Sequence, residues 1–367
     1  MAGRIALTGS NGFLGFHVRS ALKEQEIDAH AIHLGEAYDG TGVTRALEGC
    51  DRLIHLAGVN RGSDAEVAQG NVRFARQLAQ SIRDCAVPPR TIVFANSTQA
   101  TNHSVYGQAK ARSAEILRAA ADSVGAEFQD ILLPNLFGEH GRPFYNAVTA
   151  TFSHLLARGE RPTINQDSDL TLLHAQDAAD LLIGVISAKV ASLLAVELTV
   201  GDLLRNLQDV AQVYSQGEIP DVGTDFGRNL FNTYRSHTFP EHAPVQLSRH
   251  ADHRGSFFEI VRSHGGTSQS SFSTTAPEVS RGDHFHRRKI ERFTVLAGSA
   301  TIALRRLFSD EVIELQVTGE KPVAVDMPTM WAHKITNTGS DALYTSFWSN
   351  DIFDPQAPDT IPEAVHI

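Results

Sequence analysis

Residues 4–15 read RIALTGSNGFLG: an apolar run, Arg4–Thr8, that breaks at once into glycines at positions 9, 12 and 15. The run is short and continuous, as expected of a strand buried on both faces. The glycines let the backbone turn sharply off that strand and approach a pyrophosphate with no Cβ in the way. The helix predicted to follow offers free N–H groups and the positive end of its dipole to the same anion. Gly9, Asn11, Gly12, Phe13, Leu14 and Gly15 are therefore the candidate cofactor contacts of this turn. The spacing is GxxGxxG, not the commoner GxGxxG.

Working outward, apolar runs at Ala29–His33, Leu53–Ala57, Thr91–Ala95 and Phe128–Leu133 alternate with helical apolar spacing over Phe13–Gln25, Asp64–Cys85 and Tyr106–Val124. Strand-helix alternation at this interval predicts an α/β, doubly wound parallel sheet. Beyond about Gly255 the texture changes. Ser256–Val261, Phe293–Leu296, Thr301–Leu304, Val312–Val317, Val323–Val325 and Ala342–Trp348 are short and β-rich, punctuated by Gly, Pro and Asp. That pattern predicts an antiparallel, all-β sandwich or barrel. The expected division is residues 1–243 and 244–367, with the junction in FPEHAPV (239–245), where the two activities should be separable.

Bulk composition narrows the function classes. The chain has 367 residues, 42% hydrophobic and 20% charged, with a formal net charge of −10. A net charge of −10 argues against an electrostatic nucleic-acid footprint. No run reaches the ~18 apolar residues of a membrane span. The N-terminal residues lack the order of a secretory signal, and two cysteines make no disulfide framework. A cytoplasmic location is the expectation.

Further signals follow the glycine turn in order. His55-Leu56-Ala57-Gly58-Val59-Asn60 closes the third strand with small residues, and Asn96-Ser97-Thr98 closes the fourth. Tyr106 and Lys110 then stand one turn apart on the following helix. This set resembles the extended short-chain dehydrogenase/reductases, the nucleotide-sugar epimerase, dehydratase and reductase group, over about Arg4 to Thr238. The resemblance implies a Rossmann-type fold and cofactor contacts that include Ala57, Gly58 and Asn60. It makes Tyr106 the proton donor or acceptor and gives Ser97, or Thr98, the substrate carbonyl oxygen. Lys110 would hold the nicotinamide ribose. A phenol is a poor acid-base group at neutral pH, and Lys110 one turn away is expected to depress it. The second strand ends at His33 with neither Asp nor Glu for a ribose diol, which leans toward NADP(H), with NAD still open. Leu133–Gly138 resembles the family's loop into the sugar-nucleotide site, with Asn135, Arg142 and Asn146 as substrate contacts.

In the C-terminal region Arg281-Gly282-Asp283-His284-Phe285-His286 precedes Glu291, and Pro328, His333 and Asn337 come later. Strand alternation puts His284 and His286 on one face, and adjoining strands can bring Glu291 and His333 to the same point. Three imidazoles and a carboxylate suit zinc or another divalent metal; alternatively, one HxH histidine acts as a base and water fills its place. The pattern resembles the two motifs of the cupin superfamily over about Val245 to Phe353. It departs at Gly282, which stands closer to the first histidine than usual, and at Met330, which replaces a glycine. Asp252–Glu259, containing Arg254, together with Arg281 resembles the sugar-epimerase cupins, making both arginines candidate substrate contacts.

The two halves together resemble bifunctional enzymes of capsular polysaccharide synthesis. That implies a UDP-linked 2-acetamido-2,6-dideoxy-4-hexulose, epimerised at C3 by the cupin and reduced at C4 with NADPH, in a homodimer. Two readings compete with it: an NADP-binding sensor without turnover, and a reductase whose cupin is structural or a dioxygenase.

Overall fold

The computed structural model describes residues 3–367. In chain order the elements begin β1 (Ile5–Thr8), α1 (Phe13–Glu24), β2 (Ala29–Ile32), α2 (Gly40–Leu47), β3 (Arg52–His55), α3 (Asp64–Asp84), β4 (Thr91–Ser97), α4 (Val105–Val124) and β5 (Glu127–Leu133). Next come β6 (Asn135–Phe137), α5 (Val148–Ala157), β7 (Asp169–His174), α6 (Ala175–Ile183), α7 (Ala188–Leu194), β8 (Val196–Thr199), α8 (Val200–Tyr214) and α9 (Asp225–Arg235). The remainder is β: β9 (Val245–Gln246), β10 (His250–Asp252), β11 (Gly255–Phe257), β12 (Gln269–Thr275), β13 (Ser280–Phe285), β14 (Glu291–Ala297), β15 (Ser299–Arg306), β16 (Val312–Thr318), β17 (Val323–Met327), β18 (Trp331–Asn337), β19 (Leu343–Ser349) and β20 (Ile361–Pro362).

The chain separates into two compact units. The first holds the residues up to Phe137 together with Gly141–Val148 and Ser168–Thr199. Its parallel sheet runs β2-β1-β3-β4-β5, the order of a doubly wound fold. Every residue of β1 is buried, because helices cover both faces. On one face Leu47, Leu78, Ile82, Leu117 and Ala121 pack onto Leu53, Ile92 and Phe94. On the other, Val18, Leu22, Ala179 and Leu182 pack onto Leu7, Ile54 and Val93. The strand order reverses between β2 and β3 at β1, so the turn after β1 opens at the switch point where such sheets bind ligands.

The second unit contains Val200–Ile367 with Gly138–His140 and Thr149–Asp167. Two antiparallel five-stranded sheets, β12-β19-β14-β17-β9 and β16-β15-β18-β13-β20, enclose Phe293, Val295, Ile302, Leu304, Val325 and Ile335. This is the all-β sandwich expected after the parallel sheet. The compact units do not break at 243/244. Residues 200–244 belong with the barrel, and buried polar bonds show why. Arg292 pairs with Asp326 through Nε and Nη2 at 2.7 and 2.8 Å, and Tyr214 donates to Asp326 at 3.0 Å. Arg235 donates to the carbonyl of Met327 at 2.8 Å. Removing Tyr214 and Arg235 would take away buried bonds that Asp326 and the Met327 carbonyl receive from them.

The expected strand Ser256–Val261 is a correction: only Gly255–Phe257 is extended, as half of a hairpin with β10. The chain beyond it is taken up elsewhere, since the Arg262 carbonyl accepts from Ile219 N at 2.8 Å.

Candidate functional site

In the first unit the functional side chains gather at the carboxyl ends of β1, β3 and β4. Gly9 has φ +70, and a Cβ there would stand 2.8 Å from Ala57 N. A Cβ on Gly15 would stand 2.1 Å from Gly9 O. Neither position tolerates a side chain, so the turn is a cradle kept open by absence of atoms. Helix α1 starts directly from it with no acidic residue in its first turn, leaving the positive helix end unopposed. Thr8 fastens the cradle to β3: its hydroxyl accepts from Leu56 N and Ala57 N, both at 3.1 Å, and bonds His55 Nδ1 at 2.7 Å. Asn71 of α3 grips the next loop, accepting from Val59 N and donating to Val59 O at 2.7 Å. This positions Ala57 and Gly58 beside the glycine turn. His33 lies just past β2, exposed to solvent.

Ser97 ends β4 and caps a short 3₁₀ turn, its hydroxyl accepting from Gln99 N at 3.2 Å; Thr98 is exposed. Ser104 caps α4, which carries Tyr106 in its first turn. Lys110 is buried, donates to Ala95 O at 2.6 Å and lies 4.0 Å above the Phe94 ring. On the ring's flank His55 stacks at 5.4 Å. Burial, followed by the Lys110 charge, holds His55 down at about 3, so it is neutral. Burial also lowers Lys110 to about 7 against the opposing pull of Asp130. The expected depression of Tyr106 is not found: burial raises the phenol. A half-buried phenol loses more hydration as an anion than it recovers from this lysine.

Among the substrate candidates, Asn146 donates from Nδ2 to Asn60 O at 2.7 Å, joining two residues read from separate motifs. Arg142 and Arg61 both lie over the Tyr145 ring, at 4.9 and 5.6 Å. Asn135 is exposed at the start of β6.

In the second unit His284, His286, Glu291 and His333 bring one ligand atom each to within 4.8 Å of one another. The Nε2 atoms of His286 and His333 are buried and face Glu291 Oε2 at 2.8 and 3.5 Å. Their Nδ1 atoms are held outside the cluster, by the carbonyls of Asp359 and Trp331. Fixing Nδ1 in this way leaves Nε2 free to ligate, the arrangement metal-bound histidines use. Burial and the neighbouring imidazoles lower His284 to about 3. Burial pushes Glu291 up, but the His286 and His333 rings outweigh it and keep the carboxylate well below its usual range. Three imidazole nitrogens and a carboxylate oxygen within 4.8 Å of one another are a donor set that fits a divalent cation.

The two departures from the motif resolve locally. Gly282 (φ +119) lies at a bulge, where a Cβ would meet His333 O at 2.5 Å. Met330 takes the missing glycine's role with φ +60. Arg254 is turned onto Asp252 and Arg281 onto Thr274 and Thr275; no contact brings either to the cluster. A cavity of about 150 Å³ opens beside Glu291, lined among others by Gln269, Ser271, Lys289, Phe347 and Asp351.

Comparison with known proteins agrees with this geometry. Residues 5–194 match the model of the NAD dependent epimerase/dehydratase family, and residues 250–361 match the polysaccharide biosynthesis C-terminal domain. The chain belongs to the NAD-dependent epimerase/dehydratase family. A curated family member, UDP-2-acetamido-2,6-beta-L-arabino-hexul-4-ose reductase of Pseudomonas aeruginosa, is 30% identical over 97% of each chain. The solved structure of the capsular polysaccharide assembling protein CapF from Staphylococcus aureus superposes with a TM-score of 0.62 at 30% identity, covering 98% of this chain and 100% of that one. CapF with the inhibitor 3-isopropenyl-tropolone superposes at 0.55 with 28% identity, covering 99% and 100%.

Beside the family's motif residues stand groups that sequence reading passed over. Lys289 puts its ammonium 3.4 Å from Glu291 Oε1 at the cavity. Thr8 and Asn71 tie the cofactor loops, and Phe94 carries Lys110. A threonine before the first glycine and a lysine two residues before the motif glutamate were the available signals.

Proposed function

We propose that this chain converts a UDP-linked 2-acetamido-2,6-dideoxy-4-hexulose in two steps, epimerising C3 in the C-terminal unit and reducing C4 with NADPH in the N-terminal one. What supports the reading is Tyr106 and Lys110 on the helix that follows β4, in the same parallel sheet whose first strand leads into the glycine turn, in a chain 30% identical over 97% of its length to a UDP-sugar 4-keto reductase.

In the reducing unit, Gly9–Gly15 and the α1 N-terminus receive the pyrophosphate, and Ala57, Gly58 and Asn60 line the approach. Bound NADPH would supply the hydride. Ser97 orients the C4 carbonyl, and Tyr106 gives its phenolic proton to the developing alkoxide. Lys110, fixed between Ala95 O and Phe94, holds the ribose, and the Tyr106 phenolate left after the transfer takes its replacement proton from water. Asn146, tied to Asn60, with Arg142 and Asn135, reads the sugar nucleotide.

In the barrel, His284, His286, Glu291 and His333 would hold a divalent ion, zinc by donor type, that supplies Lewis-acid charge. Lys289 adds a fixed cation beside the cavity. A C4 ketone acidifies the C3 hydrogen, so positive charge here favours enolate formation and reprotonation from the other face. The reading includes a homodimer, for which Phe272 and Tyr344, both exposed and 5.9 Å apart, offer apolar surface.

The test is substrate-dependent NADPH oxidation with the full chain. One NADPH consumed per 4-keto sugar nucleotide is expected, with no oxygen uptake. Cofactor binding without turnover on any UDP-4-keto sugar would favour the sensor, and oxygen-consuming turnover the dioxygenase.

A further inference from the structure

We propose that Arg73, on the third turn of α3, is the residue that receives the 2′-phosphate of NADPH and sets the cofactor preference. The inference rests on the reading that a nicotinamide dinucleotide lies over Gly9–Gly15.

The position follows from the sheet. Thr8 pairs with Ile32, so the residues just after β2 stand beside the glycine turn. The adenosine ribose of a dinucleotide bound at such a turn reaches this strand end. A ribose diol is recognised there by an Asp or Glu, and His33-Leu34-Gly35 offers neither; the first carboxylate, Glu36, comes one residue later, exposed in the turn Gly35–Ala37. No basic residue follows β2 within this stretch to replace it, other than the imidazole of His33.

Helix α3 supplies the missing charge from the opposite side. Gln77 locks the loop to the helix: it accepts from Gly35 N at 2.8 Å and donates to Gly35 O at 2.9 Å. Tyr38 adds a bond to Gln77 O at 3.0 Å and one to Ser81 at 2.8 Å. With the loop so held, Arg73 Nη2 lies 3.4 Å from the point where a Cβ on Gly35 would stand. Gly35 has φ +83, and a Cβ there would also stand 3.0 Å from the Phe74 ring, so glycine permits both the turn and the close approach of the loop to α3. Arg73 is exposed and lies 5.7 Å over the Phe74 ring, with no carboxylate in ion-pair contact among the described residues. An exposed guanidinium without a carboxylate partner, brought to the end of β2 by its place on α3, is suited to a phosphate dianion.

The phosphate-binding arginine of this chain lies about forty residues downstream of β2, one helix turn before Gln77, the residue that clamps Gly35.

Affinities of the full-length protein for NADPH, NADH and 2′,5′-ADP, measured by calorimetry, test the assignment without turnover. The wild type should bind NADPH at least tenfold more tightly than NADH. Arg73→Gln should weaken NADPH and 2′,5′-ADP by about tenfold to a hundredfold, leave NADH within about twofold, and keep the melting temperature. Arg73→Lys should restore part of the loss. Equal weakening of NADPH and NADH, no weakening of NADPH, or a wild type without preference would overturn the role of Arg73. A wild type that binds neither nucleotide would overturn the dinucleotide reading and this inference with it.

Discussion

Lys110 donates from Nζ to the carbonyl oxygen of Ala95 at 2.6 Å. Ala95 stands two residues before Ser97 on β4, and Lys110 one turn after Tyr106 on α4. The single bond therefore locks the helix that carries Tyr106 to the strand end that carries Ser97. It also takes an ammonium out of water, and its pKa falls to about 7.

That burial gives a pH-linked stability. The folded lysine titrates at about 7 and the unfolded one near 10.5, so between these values the unfolded chain binds more protons. The cofactor-free protein should thus gain stability as pH rises through this window, by up to about 1.4 kcal/mol per pH unit from this group. Denaturant midpoints at pH 7, 8 and 9 for wild type and Lys110→Met measure it. The variant should show a flatter dependence; an unchanged slope would place the lysine in water.

Tyr106→Phe should lower the reduction rate by about a hundredfold or more while leaving NADPH affinity within about threefold. Only the hydroxyl is removed, and the ring stays packed. Single-turnover kinetics and cofactor titration separate the two effects. Near-wild-type reduction would assign the proton elsewhere.

The buried pair Arg292–Asp326, with Tyr214, joins residues 200–244 to the barrel. Burial raises the Asp326 carboxyl, and Arg292 outweighs it, so the group is ionised in the interior. Asp326→Ala leaves a buried guanidinium unpaired and should cost about 3–5 kcal/mol. Adding Arg292→Met should recover most of that loss. Urea unfolding of both variants decides; a single variant within about 1 kcal/mol of wild type would remove the pair from the account. A fragment starting at Val245 lacks Tyr214 and Arg235, so we expect it to be less stable than one that retains residues 200–244.

The parallel sheet was legible because β1, β3 and β4 are buried on both faces, and continuous apolar runs announce such strands. The glycine turn, Tyr106 with Lys110, and the four residues of the barrel cluster were legible because their spacing encodes shared faces. Other features were hidden by tertiary effects. β12, QSSFSTT, is polar along most of its length and exists through its pairing with β19. Met330 adopts a glycine's backbone angle, which its residue type does not advertise. The fall of Lys110 to about 7 and the rise of Tyr106 come from burial, and spacing carries no measure of burial. Arg254 resembled a substrate contact by motif, yet Asp252 two residues away claims its guanidinium.

The barrel cluster should hold about one divalent ion per chain. Elemental analysis of protein purified without added metal, followed by removal with a chelator, checks it. Metal loss should lower the melting temperature and abolish C3 hydrogen exchange while leaving NADPH affinity unchanged. His333→Ala should reproduce all three results. Metal-free protein with full exchange would leave the imidazoles as bases rather than ligands.

The most direct measurement follows two isotopes through one turnover of a UDP-2-acetamido-2,6-dideoxy-4-hexulose. With cofactor deuterated at the transferable position in ordinary water, product NMR should show deuterium at C4 alone. With unlabelled NADPH in heavy water, carbon-bound deuterium should appear at C3, on the inverted centre. Label at both positions, each from its own source, is the result predicted for epimerisation followed by reduction. A product carrying cofactor deuterium at C4 but no solvent deuterium at C3 would contradict it.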